Sequence, residues 1–323
     1  MLNIKKSTYL FVLYLLFPLT SYAAQPFEQW LSGVEQEAIS KGISTQTVNA
    51  ALNNIKPIPR VIELDRKQPE GRMTFNEYYA KVINQTRINQ GRKMYSQHRV
   101  QLERTAQKYG VPAHYIVALW GIETNYGSNT GGFSVISSLA TLAHDGRRSA
   151  FFRGELIDAL KILDAGHISP ENMKGSWAGA MGQNQFMPSS FHTFAVDGNN
   201  DGKRDIWTSL PDVFASTANY LSKSGWKEDE RWGREVKLPQ SFPKSLSGLE
   251  TKKTTQEWKN MGLTLPSGSP LPTAPGLKAS VVMPDGLAGR AFLVYDNYRV
   301  IMKWNKSTYF ATSVGLLADQ ITR

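Results

Sequence analysis

The chain has 323 residues, 41% of them hydrophobic and 8 of them Trp, which is enough to bury a large core in two or three lobes. It contains no cysteine, which excludes disulfide cross-links, a cysteine-borne lipid anchor and thiol catalysis. Lys and Arg outnumber Asp and Glu by 37 to 27, a formal charge of +10, which suits either an anionic partner or a merely soluble basic surface.

Residues 1–23 carry Lys5 and Lys6 ahead of an apolar run from Tyr9 to Leu19 and end on Ser21-Tyr22-Ala23, the pattern of a secretory leader. The run is broken by Pro18 and is short for a membrane span. Cleavage near Ala23 or Ala24 leaves a mature chain of charge +8 in the periplasm. There a basic protein meets an anionic wall polymer or associates peripherally with the envelope, rather than binding nucleic acid.

Residues 24–110 read as an N-terminal helical region. "FEQWLSGVEQEAIS" has helical apolar spacing, and a second helix is predicted from the Thr74/Glu77 capping box to Gly110. Residues 111–232 continue in short helical segments between polar or Gly-rich turns, with Pro112 opening the first. Residues 233–294, rich in Pro and Ser, read as a small β-containing lobe. "RAFLVYDNYRVIMKWN" predicts a β-hairpin turning at Asp296-Asn297, and residues 295–323 return to the core. The fold class is therefore mainly α, of the α+β kind.

Within "VPAHYIVALWGIETNYG" a helix from Pro112 puts Ile116, Leu119, Trp120, Glu123 and Gly127 on one face. A carboxyl on such a face is desolvated, and desolvation raises its pKa toward what a general acid needs near neutrality. On spacing alone a structural bridge to an arginine is the stronger explanation of the same acid. Downstream, "GSWAGAMGQNQFMPSSF" sets Gly175, Gly179 and Gly182 beside Ser176, Gln183, Asn184 and Gln185, with Trp177, Phe186 and Met187 interleaved. Small residues admit a ligand, amides bond hydroxyl and acetamido groups, and aromatics cover sugar faces, although a tight helix pair has the same composition.

These segments, with "LATLAHDGRRSAFFRGEL", "AVDGNNDGKRDIW", "ANYL" and "VIMKWNKSTYFATSV", resemble the B-type lytic murein transglycosylases in order over residues 112–314. The resemblance implies a lysozyme-like helical catalytic domain with an N-terminal helical extension and a β-containing insertion. It implies cleavage of the β-1,4 bond between N-acetylmuramic acid and N-acetylglucosamine in peptidoglycan glycan strands, closing a 1,6-anhydro ring. Glu123 falls where the family keeps its one catalytic acid, first giving a proton and then taking one. By matching position Ser176 and Gln185 hold the acid and the sugar, Tyr220 and Asn305 line the cleft, and Arg147 and Arg148 meet stem-peptide carboxylates. Trp304 and Phe310 stand where the family often has Tyr. Asp145 and Asp158 are the acids that a two-carboxylate glycosidase would need to bring to Glu123. A lysozyme-type hydrolase and a noncatalytic peptidoglycan-binding scaffold are the competing functions.

"DGNNDGKRDIWTSLPD" begins as an EF-hand loop does, with Asp197, Asn199 and Asp201 as oxygen donors, Gly202 at the turn and the Lys203 carbonyl next. Thr208 replaces the closing Glu, so Asp212 or Asp205 must complete a structural calcium site, unless the segment is an ion-free turn. No cofactor is required for the chemistry. The five histidines show neither i,i+4 pairing nor a His-Glu-x-x-His motif.

Overall fold

A computed structural model describes residues 25–67 and 73–322, so the leader read at residues 1–23 lies outside the described residues. The N-terminal region comprises α1 (Phe27–Ser40), α2 (Thr45–Leu52) and α3 (Pro59–Arg66). The Thr74/Glu77 capping box forms, with the Glu77 carboxylate accepting the Thr74 N–H at 2.7 Å. The single long helix predicted behind it does not form. The segment divides into α4 (Phe75–Val82), α5 (Gln85–Gln97) and α6 (Arg99–Tyr109). Ile83 leaves helical backbone and buries its side chain, and Asn84 caps the Arg87 N–H at 2.9 Å, a stronger local choice than continuing the helix. Gly110, at φ 65°, closes α6 as read.

Helix α7 (Ala113–Thr124) runs through the middle of the molecule, packed by α5, α6, α11 (Leu210–Lys223) and α14 (Thr308–Ile321). It is buried on nearly every side, so Glu123 does not interrupt one stripe; it sits in the last turn of a core helix. Gly127 lies beyond that helix, because Asn125 and Tyr126 take left-handed backbone and end it. Around α7 are β1 (Phe133–Ser134), α8 (Val135–His144), α9 (Ser149–Asp164), β2 (Lys174–Gly175) and α10 (Pro188–Phe194), with β1 paired antiparallel to β2.

The second lobe holds β3 (Gly233–Val236), β4 (Lys253–Thr254), α12 (Thr255–Asn260), β5 (Lys278–Val282) and β6 (Ala291–Val294), in an antiparallel sheet of order β3-β6-β5-β4. Alternation along the strands serves two cores: Phe292 and Val294 face the helical core, whereas Ala291, Leu293 and Val281 join Trp258 and Phe242 in the lobe's own cluster. The hairpin predicted at Asp296-Asn297 is replaced by α13 (Asp296–Trp304). The Glu230 carboxylate caps it by accepting the Asp296 N–H at 2.6 Å, and Tyr298 and Ile301 bury one helical face. The alternation held only up to Val294, where β6 already has both of its partners.

The lobe is tied back through Trp232, whose fully buried indole lies against Gly315 of α14; a Cβ there would stand 2.1 Å from the ring. Gly315→Ala is therefore expected to destabilise the protein by about 1–3 kcal/mol through overpacking. Thermal denaturation checks this, and an unchanged melting temperature would contradict the packing.

Candidate active site

Glu123 owes its position to both ends of a short local design. Tyr126 folds back over Gly121, where a Cβ would lie 2.6 Å from the ring, and its hydroxyl donates to the Arg87 carbonyl at 2.8 Å. Thr124 donates to the Gln183 carbonyl at 3.1 Å and accepts the Gly127 N–H at 3.1 Å, fixing the chain just past the acid. Gly127, at φ 80°, leaves room for Gln183, which would stand 2.3 Å from a Cβ. The glycines of "GIETNYG" thus let two side chains close on the end of α7.

The acid is half-buried, and burial pushes its pKa up to about 7, against one opposing hydrogen bond. That bond comes from Trp304, whose indole Nε1 donates to Glu123 Oε1 at 2.7 Å. An indole nitrogen is a donor only, so Oε1 is kept as an acceptor, which favours placing the carboxyl proton on Oε2. Trp304 is in turn held by rings: Tyr220 at 4.6 Å and Phe186 at 5.2 Å between centroids. The Tyr220 hydroxyl donates to the Lys303 carbonyl at 2.8 Å, which fixes the Tyr220 ring relative to the end of α13.

No second carboxylate acts on Glu123 among the described residues. Asp145 pairs with Arg66 at 2.8 Å and Asp158 with Lys161 at 2.9 Å. A carboxyl that is alone, half-buried and titrating near neutrality can give a proton and take one back, as single-acid chemistry requires.

The "GQNQ" amides divide in role. Gln183 accepts from the Trp120 indole at 2.7 Å and donates to the Trp207 carbonyl at 2.9 Å, and Asn184 donates to the Val213 carbonyl and the Thr217 hydroxyl. Both are internal ties rather than ligand-facing groups. Gln185 is half-buried with left-handed backbone; its Nε2 donates to the Thr130 and Gly182 carbonyls, each at 3.0 Å. Ser176 Oγ accepts the Ala180 N–H at 3.0 Å and shapes its own turn. Asn305 is exposed at the end of α13, and Phe310 is a core side chain, 5% exposed. Arg147 and Arg148 both bind the buried Asp65 of α3, at 3.3 and 2.6 Å, and Arg148 also covers the Phe152 ring.

Sequence reasoning missed Tyr78. Its pKa is raised by burial and then by the charge of Glu123, and its ring lies 5.7 Å from that of Tyr309. Nothing in the helical spacing of α4 distinguished it from the neighbouring Tyr79, since its significance comes from α7, some forty positions later.

In the loop 197–212 the Asp197 carboxylate accepts N–H groups of Asn200, Asp201 and Gly202, and Asp201 binds the Asn199 amide and the Lys203 N–H. Asp212, fully buried, accepts from the Gly198 and Asp205 N–H groups at 2.9 and 2.7 Å. Its pKa is raised by burial, with the charge of Asp197 adding to the effect. Asp205 instead caps the following turn through Trp207 and Thr208. Asp212 rather than Asp205 therefore closes the loop onto its start. The donors are oxygens, as calcium prefers, although no three acidic or histidine side chains converge among the described residues.

Residues 26–319 match the family model described as the transglycosylase SLT domain. The chain is 31% identical over 289 residues to the membrane-bound lytic murein transglycosylase B of Escherichia coli, covering 88% of this chain and 77% of that one. Its fold superposes with a TM-score of 0.90 on SltB3 of Pseudomonas aeruginosa, at 46% identity over 92% of this chain and 80% of the other; that structure holds NAG-anhNAM-pentapeptide. The E. coli transglycosylase SLT35, in complex with calcium, gives a TM-score of 0.77 at 30% identity, covering 94% of each chain.

Proposed function

This chain belongs to the transglycosylase SLT domain family, and from that premise we infer that Glu123 alone carries the proton chemistry of peptidoglycan cleavage. The enzyme is a lytic murein transglycosylase, acting on the β-1,4 bond between N-acetylmuramic acid and N-acetylglucosamine. The observation that carries the assignment is the lone carboxyl titrating near 7, with Trp304 holding one oxygen as an acceptor.

Protonated on Oε2, Glu123 gives its proton to the glycosidic oxygen as the bond breaks. The muramoyl N-acetyl group supports the sugar cation, and the carboxylate then takes the C6 hydroxyl proton as that oxygen closes the anhydro ring. Water is not consumed, so the saccharide product is one water lighter than that of a hydrolase. Mass spectrometry of products from purified sacculi decides the matter: reducing ends in place of anhydro ends would establish hydrolysis, and binding without release would establish a scaffold.

Gln185, Asn305 and Trp304 are proposed to line the saccharide path with Ser176, Tyr220 and Phe310 supporting it, and Arg147 and Arg148, held by Asp65, to meet stem-peptide carboxylates. Residues 111–232 and 295–323 would form the catalytic core, 24–110 its helical extension and 233–294 the inserted lobe. Among the described residues no helix is long and apolar enough to cross a membrane. A periplasmic location rests on the leader pattern of residues 1–23.

The loop's donor set fits a structural calcium held by Asp197, Asn199, Asp201, the Lys203 carbonyl and Asp212. Such an ion would offset the repulsion between Asp197 and the buried Asp212 and brace the loop, without taking part in the reaction. Adding calcium to chelator-treated protein is expected to raise the melting temperature, and Asp212→Asn to remove that rise. An unchanged melting temperature would argue for an ion-free turn.

A further inference from the structure

A cavity of about 730 Å³ opens between the 227–231 segment, β3 and the 274–277 turn. It lies away from Glu123. Trp232, between two of its lining residues, is bonded to Tyr115 near the start of α7, whereas Glu123 is at the other end, about 12 Å along the axis. The volume is that of a site for a small organic ligand.

The charges lining it are unevenly matched. Lys227 pairs with Asp296 at 2.6 Å, an acid it shares with Lys252 and Arg299, and Arg231 pairs with Asp319 at 3.1 Å, while Glu230 is occupied in capping α13. Arg234 has neither an ion pair nor a hydrogen bond among the described residues, and its Nε is shut off from solvent. Tyr295, 2% exposed, has a buried hydroxyl without a partner. A part-buried guanidinium with no anion and an orphaned hydroxyl, both lining one cavity, make a costly arrangement that a carboxylate would relieve. Glu228 and Asp229, exposed residues of the lining, take part in no ion pair among the described residues, so two acids and one cation line the cavity without ion-pair partners.

We propose that this cavity binds an α-amino acid group, free or carried at the end of a peptide side chain as in diaminopimelate, its carboxylate on Arg234 and Tyr295 and its ammonium against Glu228 and Asp229. A simple anion would leave the two acids unused, and a simple cation would leave Arg234 unpaired; a carboxylate and an ammonium on one carbon satisfy both. That stem peptides supply such ends rests on the peptidoglycan reading, whereas binding of the free amino acid does not. An enzyme holding a stem peptide here, apart from its cleavage cleft, would remain attached to the wall between cuts.

The probe is meso-diaminopimelic acid, titrated into the full-length protein by calorimetry. Wild type and Glu123→Gln are expected to bind it equally, and Arg234→Gln to weaken it at least about tenfold, the loss expected for one charge-assisted contact. Tyr295→Phe, which removes only the unpartnered hydroxyl, is expected to weaken binding while leaving the melting temperature unchanged or raised. The N-acetylated and esterified forms of the probe should each bind more weakly than the parent. The proposal is overturned by an absence of binding in the wild type, by equal affinity in Arg234→Gln, or by equal affinity for the N-acetylated form. A loss of binding in Glu123→Gln would overturn it too, by assigning the probe to the catalytic cleft.

Discussion

Glu123→Gln is expected to end the release of anhydro-muropeptides from sacculi and, in the same protein, to raise its stability at alkaline pH. The first effect follows from removing the proposed proton donor and acceptor; general acid–base catalysis is worth about 10²–10⁴-fold, and in the proposed scheme both proton transfers fall on one residue. The second follows from linkage. The folded carboxyl holds its proton to about 7, whereas the unfolded one releases it near 4.5, so between those values the folded state binds more protons. Its contribution is fully present below the unfolded pKa and is lost as pH rises through the folded one, at a cost of about 3 kcal/mol. Glutamine has no such titration. The variant and the parent should therefore melt together near pH 4 and separate by pH 8, with the variant more stable. Retained turnover would remove Glu123 from the mechanism, and a melting difference independent of pH would show that burial does not hold its proton.

How much of this was legible in the sequence depended on how far apart the cooperating residues lie. The Thr74/Glu77 cap and the Gly110 stop are written within one helical turn, and both form as read. The break at Asn84 is also local, but helical spacing runs through it, so the preference of Asn for a cap position was outweighed. The strand before Asp296 was read correctly and its continuation was not, because the cap that starts α13 is Glu230, sixty-six positions earlier. Glu123 was found through its apolar surroundings, yet the inference of one stripe was too narrow: α7 is enclosed on nearly all sides, and the acid is exceptional for being the end of that enclosure. The amide run showed the same limit. Composition marked Gln183, Asn184 and Gln185 alike, and only the fold separates the two that tie α7 and α11 in place from the one that bonds the Thr130 and Gly182 carbonyls.

Trp304→Phe should move the pH profile of the reaction rather than merely lower it. The indole N–H stabilises the ionised form of Glu123, so without it the carboxyl pKa rises further above its ordinary value, and the alkaline fall in kcat/KM shifts to higher pH. A hydrogen bond to a charged group is worth about 1.5–3 kcal/mol, which corresponds to a shift of about one to two pH units. At pH 6 the variant should be slower, by about tenfold, because Oε1 is no longer held as the acceptor and the proton is no longer confined to Oε2. The ratio of variant to parent activity should then increase between pH 6 and pH 8, as the parent loses its proton and the variant keeps it. Phe keeps an aromatic ring beside Tyr220 and Phe186 but is smaller than Trp, so the pH dependence, not the level of activity, reports the N–H. A purely packing role would reduce kcat/KM by the same factor at every pH, leaving the alkaline limb where it was. Trp304→Tyr, which restores a donor on an aromatic ring, is expected to return the limb toward the parent position, and through that recovery to distinguish orientation of the acid from the mere filling of space beside it.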